Sequence, residues 1–145
     1  MIRWTKWKDI LNGYKDGYLS SNGVCFDVGR TSLSSLRKFE KTRDPYSGPT
    51  DENTAGNGSL MRVAPVPLFY ANNPKIGISM SGESSRTTHQ ALAAIDACRY
   101  LGALIIGVVN AISEKNENGN NSNRKEEILS PFYSPIPLAT GIETR

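Results

Sequence analysis

Thr88-His89-Gln90-Ala91-Leu92-Ala93-Ala94-Ile95-Asp96-Ala97-Cys98-Arg99-Tyr100-Leu101-Gly102-Ala103-Leu104-Ile105-Ile106-Gly107-Val108-Val109-Asn110-Ala111-Ile112-Ser113 carries the strongest periodic pattern in the chain. Leu92, Ile95, Ala97, Leu101, Leu104, Ile105, Val108 and Ile112 recur at steps that lie on one side of an α-helix. The spacing predicts a helix over 88–113 that is apolar on nearly all sides towards its end, which is the character of a helix at the centre of an all-α domain. Its longest uninterrupted apolar run, Leu101 to Val109, falls short of the ~20 residues that cross a bilayer, so no membrane span is expected. Asp96 and Arg99, three apart, are expected to pair along the helix surface.

Upstream, Trp4, Trp7, Ile10, Leu11, Tyr14 and Tyr18 form an apolar stripe and predict a helix over 3–16. Turn formers at 19–23 end it, and Asp27-Val28-Gly29 reads as a short loop. Leu33, Leu36 and Phe39 return at helical spacing after Thr31-Ser32, a plausible cap, which predicts a second helix over 32–42 before Asp44-Pro45. Residues 46–59 hold almost no large apolar side chain and predict a long loop of the kind that carries function. Leu60 to Tyr70 is apolar but broken by Pro65 and Pro67, and is expected to form a kinked, buried helix. Another helix is expected from about Pro74, and Ser84-Ser85-Arg86-Thr87-Thr88 reads as a polar break.

Downstream, residues 114–127 are polar, with five asparagines, and read as a solvated insert or loop. A short helical turn is expected at Glu126 to Leu129, and three prolines exclude a helix over 130–137. No stretch alternates with the period of a strand. The whole chain is 145 residues, 38% hydrophobic, with a net charge of +3. That size suits one domain. The charge is too small to imply nucleic acid or an anionic membrane as partner. Cys25 and Cys98 lack CxxC spacing and suggest free thiols in a reducing, cytoplasmic setting. A single histidine, His89, excludes sites that need two, and neither a Walker loop nor GxGxxG is present. Carboxylate and backbone chemistry remain.

Each candidate residue has a structural and a functional reading. Asp27 is either a turn or cap residue or a general base or hydroxyl acceptor displayed by a tight turn. Gly56-Asn57-Gly58-Ser59 is either an ordinary turn with a Ser cap or a set of backbone N–H groups suited to a pyrophosphate. His89 either serves structure or points into a cleft. Asp51 and Glu52 read as solvated rather than as a Mg²⁺ pair. Trp4, Trp7 and Tyr14 beside Arg3, Lys6, Lys8 and Lys15 imitate a nucleic-acid face, but their spacing makes the aromatics core and the cations rim.

Taken in order, Gly17-Tyr18-Leu19-Ser20-Ser21, Cys25-Phe26-Asp27-Val28-Gly29, Gly56-Asn57-Gly58-Ser59-Leu60-Met61-Arg62-Val63-Ala64-Pro65 and Glu83-Ser84-Ser85-Arg86-Thr87-Thr88-His89 resemble the ADP-ribosylglycohydrolase family. Ala97-Cys98-Arg99-Tyr100 and Glu126-Glu127-Ile128-Leu129-Ser130-Pro131-Phe132-Tyr133 are similar to its bacterial branch related to the dinitrogen-reductase-activating hydrolase. The resemblance covers 1–137 apart from the Asn-rich insert and leaves 138–145 unmatched. It implies an all-α orthogonal helical bundle and hydrolysis, with Mg²⁺ or Mn²⁺, of the bond joining ADP-ribose to an acceptor. It implies Asp27 as the catalytic residue, and Gly29, Asn57, Gly58, Ser59 and His89 as substrate contacts. An oxocarbenium-like transition state suits a nearby carboxylate.

The chain departs from the family's pattern in three places. The family's Thr-Asp-Asp-Thr and Asp-Thr-Asp metal motifs do not occur, and Arg30 follows Gly29 where the family usually has Asn. The expectation is a domain incomplete at both ends, with no metal ligand of its own, inactive by itself or completed by another chain. The alternative is a non-catalytic ADP-ribose or nucleotide-binding remnant. The acceptor stays open.

Overall fold

A computed structural model describes residues 2–118, with side chains over 7–111. The described residues form five α-helices and no strand: α1 (Ile2–Asp16), α2 (Arg30–Thr42), α3 (Pro65–Phe69), α4 (Pro74–Arg86) and α5 (Leu92–Asn118). Two 3₁₀ turns, Glu52–Thr54 and Leu60–Arg62, interrupt the long α2–α3 connection. The all-α class is as the sequence implies. The polar insert from 119, the turn at 126–129, the proline-rich segment and the tail at 138–145 lie outside the described residues, as does the Trp4 side chain.

The helix reading needs four adjustments. The α2 N-cap is Gly29 and makes no side-chain cap bond, so Thr31 and Ser32 lie inside the helix. The predicted helix over Leu60 to Tyr70 resolves into a 3₁₀ turn and the five-residue α3, because Pro65 can start a helix but cannot continue one. This segment is also less buried than expected: Val63 and Pro67 are covered, while Met61, Leu68 and Phe69 are exposed. The polar break expected at 84–88 falls later, since α4 runs to Arg86 and the helix resumes at Leu92, and Ser84, Ser85, Thr87 and Thr88 are buried. Finally, α5 starts later than predicted, at Leu92, and continues to Asn118.

Two packing arrangements organise these helices. Trp7 of α1 stacks on Phe39 of α2 at 4.2 Å between ring centres and 2° between planes, with Leu36 beside them. Such a pair adds about 0.5–1.5 kcal/mol to the burial itself. The Trp7 indole N–H, unable to stay unpaired once buried, donates to the Pro45 carbonyl at 3.0 Å and so fixes the chain leaving α2. The second arrangement is the close approach of α4 and α5. The buried side of α4 holds Gly77, Ser81, Gly82, Ser84 and Ser85, of which Gly77, Ser81 and Gly82 meet α5, and a β-carbon on Gly102 of α5 would lie 2.5 Å from Ser81 Oγ and 2.9 Å from its Cβ. Asn73 caps α4, its side chain accepting from the Ile76 N–H, and Pro74 occupies the first turn.

By length and composition alone Leu92–Ala111, mean hydropathy 1.8, is apolar enough to cross a membrane, a test that the core helix of a soluble protein passes as well. Within that window Asp96 is buried and pairs with Arg99 at 2.8 Å, as the spacing predicts, and the helix packs its small residues on α4.

The contact between Gly102 and Ser81 gives a direct test. In urea unfolding, Gly102→Ala is expected to cost at least about 1 kcal/mol more in the wild-type background than in Ser81→Gly, where the obstructing atoms are gone.

Candidate active site

A cleft of about 440 Å³ opens between α1, the segment leading into α2, the turn at 56–58 and His89. That is within the size range of small-ligand pockets. Its wall brings together Asp27, Gly29, Asn57, Gly58 and His89, which are up to 62 positions apart in sequence, with Tyr14 and Cys25 alongside.

The loop that carries Asp27 is built on unusual backbone. Gly17 has φ +63°, and a β-carbon there would sit 2.3 Å from the Gly23 carbonyl oxygen, so the loop closes on itself in a way only glycine permits. Asp27 itself adopts φ 54°, a left-handed conformation that Asp tolerates better than most residues, and its carboxylate is exposed. It is not a helix cap, since that place belongs to Gly29.

The opposite wall is the glycine turn. A β-carbon on Gly58 would lie 3.0 Å from His89 Cε1 and 3.1 Å from Ser32 Oγ, and one on Gly56 would lie 3.4 Å from His89 Nε2. Gly58 therefore lets the main chain rest against the imidazole edge, while a side chain at Gly56 would meet the ring only at ordinary contact distance. Asn57 is exposed on the turn, its carbonyl accepting from the Met61 N–H at 3.1 Å. Ser59 departs from its expected role. It neither caps the following 3₁₀ turn nor lines the cleft; it is buried behind it, with Ser85 Oγ 2.8 Å and Cys98 Sγ 3.6 Å from its hydroxyl. The turn leads into three residues of 3₁₀ helix, so the backbone site expected at a helix N-terminus is not formed in that way.

His89 is held by its neighbours on every side. Ser35 Oγ of α2 lies 2.8 Å from the Thr88 carbonyl. Gln90 donates through its side chain to the carbonyls of Tyr46, at 2.9 Å, and Gly48, at 2.6 Å, and through its backbone to Pro49. Gly48 passes so near that a β-carbon would lie 2.5 Å from the His89 nitrogen. Behind the ring, Arg62 donates from Nη2 to Thr87 Oγ1 at 2.8 Å and Thr88 Oγ1 at 2.7 Å, and from Nη1 to Ser84 Oγ at 3.3 Å. Sequence reasoning quoted Arg62 but gave it no role, although a lone cation inside an apolar segment signals buried partners. Burial lowers its pKa from the usual arginine range, with Cys98 acting in the opposite sense. Burial, and then the Arg62 charge, also hold His89 below its ordinary 6.5.

Asp51 and Glu52 are exposed away from the cleft, Asp51 accepting from the Asn53 N–H at 2.8 Å, in line with a solvated role. Among the described residues no three His, Cys, Asp or Glu side chains converge, so these residues do not form a site that fits the metal ion implied by the resemblance.

The sequence pattern of ADP-ribosylglycohydrolases matches residues 1–138. The chain belongs to the ADP-ribosylglycohydrolase family. It is 30% identical over 129 residues to the ADP-ribosylarginine hydrolase Tri1 of Serratia proteamaculans (strain 568), covering 89% of this chain and 32% of that protein. It is also 30% identical over 122 residues to the protein of the same name from Pseudomonas putida (strain GB-1), covering 84% of this chain and 30% of that one. The chain thus spans about a third of the length of the curated relatives it matches.

Two outcomes test this construction. Because the folded protein keeps His89 neutral where the unfolded chain takes up a proton, its stability is complete above pH 6.5 and falls as the pH drops below that value. One proton accounts for at most about 1.4 kcal/mol per pH unit. Urea midpoints measured between about pH 7 and pH 5 should therefore fall less for His89→Gln than for wild type. Gly48→Ala, which must displace backbone at Thr88 and His89, should lose about 1–3 kcal/mol of stability.

Proposed function

We propose that this chain supplies the ADP-ribose-binding wall and the catalytic carboxylate of a family hydrolase that cleaves the glycosidic bond between ADP-ribose and an acceptor. The observation that carries the reading is the convergence of Asp27, Gly29, Asn57, Gly58 and His89 on one cleft. Asp27 would accept from a ribose hydroxyl or the attacking water and offset positive charge developing on the sugar. The Gly56–Gly58 turn, free of side chains, would let a ribose or phosphate lie against main chain, and His89 would contact it through its ring edge. Arginine is the favoured acceptor, since both relatives are named ADP-ribosylarginine hydrolases.

Asp27 is the one acid on the described cleft wall. Glycosidic cleavage commonly uses two carboxylates, or a metal in place of one. Mg²⁺ or Mn²⁺ enters through the resemblance alone. For this polypeptide by itself the reading is therefore binding without turnover, with a complementing chain as one source of the missing groups. This also favours the second reading, a binding remnant, which shares the cleft and differs in never gaining turnover. The cytoplasmic setting belongs to the same proposal, as does the absence of nucleic acid and membrane partners.

Calorimetric titration with ADP-ribose, with and without Mg²⁺, is expected to show saturable binding that falls at least about tenfold in Asp27→Ala, a loss of about 1.4 kcal/mol. ADP-ribose released from ADP-ribosylarginine by the chain alone would overturn the binding-only assignment. An absence of ADP-ribose binding by folded protein would overturn the site itself.

A further inference from the structure

His89 is buried, yet its two ring nitrogens are treated differently by the fold. Nδ1 lies 2.9 Å from Thr88 Oγ1. Nε2 faces the glycine turn on the cleft wall and has no hydrogen-bond partner among the described residues. Which nitrogen carries the proton follows from counting hydrogens around Thr88. The two hydrogens on Arg62 Nη2 go to Thr87 Oγ1 and Thr88 Oγ1. Each hydroxyl, having accepted, must donate elsewhere. Thr87 donates to the Ser84 carbonyl at 2.9 Å. For Thr88, the acceptor within reach among the described residues is His89 Nδ1. If Nδ1 bore the proton, the Thr88 oxygen would face two donors and its own buried hydrogen would be unpaired, at a cost of about 1–3 kcal/mol.

We propose that Arg62 and Thr88 are positioning residues that fix His89 as the tautomer protonated on Nε2, leaving that N–H as a donor reserved for an oxygen of a ligand in the cleft. The direction of donation runs from Arg62 Nη2 to Thr88 Oγ1, then from the Thr88 hydroxyl to Nδ1. A guanidinium has no lone pair to offer, so the relay cannot run backwards. The fit is to a ligand that presents an acceptor beside the Gly56–Gly58 turn, a hydroxyl or phosphate oxygen of a sugar phosphate. A ligand presenting only donors there would leave the Nε2 hydrogen facing another hydrogen. Burial and then the Arg62 charge hold the His89 pKa below 6.5, which favours the neutral ring that a single tautomer requires. The proposal rests on the preceding functional reading only for the identity of the ligand.

The test needs no ligand, so a failure of ADP-ribose to bind would not be confused with a failure of the relay. His89 is the single histidine, so a long-range ¹H–¹⁵N correlation spectrum of histidine-labelled protein at neutral pH reports this ring without ambiguity. The expected result is an unprotonated Nδ1 and a protonated Nε2 in wild type. In Thr88→Val the two nitrogen shifts should move towards each other as the tautomers exchange, and Thr88→Ser, which keeps the hydroxyl, should restore their separation. A protonated Nδ1 in wild type would overturn the proposal. So would an unchanged tautomer in a Thr88→Val protein that keeps its native backbone spectrum. Should Thr88→Val fail to fold, the wild-type and Thr88→Ser spectra still decide the tautomer.

Discussion

Arg62 places a full positive charge inside the protein, and among the described residues no carboxylate pairs with it. A cation taken out of water without a counter-ion has to recover its hydration from well-directed acceptors. Here they are the hydroxyls of Ser84, Thr87 and Thr88. This requirement ties the turn before α3 to the end of α4 and to the residue next to His89, and it defines the back of the cleft. The small face of α4 follows the same logic. Gly77, Ser81 and Gly82 let α5 approach closely, through Ile106, Gly102, Arg99 and Ile95.

That demand explains which parts of the sequence were legible. Helical periodicity reports an apolar stripe facing a core, and α1, α2, α4 and α5 were each anticipated in kind. Residues 84–88 were not, because serine and threonine read as a polar break when hydropathy alone is weighed, whereas Ser84, Thr87 and Thr88 are buried as acceptors for Arg62, more than twenty positions away. The error over 60–70 is the mirror image. Met61, Leu68 and Phe69 read as core from composition, but proline at 65 and 67 prevents the long helix that would have turned them inward.

The site was legible in a different manner. Spacing and composition left Asp27, the glycine turn and His89 each with a bland explanation, and only their joint order suggested a shared surface. The structure gives physical content to that order. Glycine at 17 closes the loop presenting Asp27, and glycine at 58 admits the imidazole edge; neither position accepts a β-carbon without displacing neighbours. Ser59 shows the limit of carrying roles along a motif, since one position beyond the turn its hydroxyl already faces the interior.

The arrangement also gives His89 and Asp27 different surroundings on a cleft wall that Tyr14, Cys25 and Arg30 share with them. An imidazole whose Nδ1 accepts from Thr88 and whose Nε2 bears the proton has no lone pair left for the cleft, so it donates to a ligand but removes no proton from one. Buried beside a guanidinium, it also resists the charged form that would let it act as an acid at neutral pH. In the proposed function the accepting group is Asp27, which is exposed on a left-handed turn. In the proposed reading the wall therefore pairs one group that donates to a ligand oxygen with one exposed carboxylate that accepts, two complementary contacts that a single ligand bearing both hydroxyl and phosphate oxygens would satisfy together.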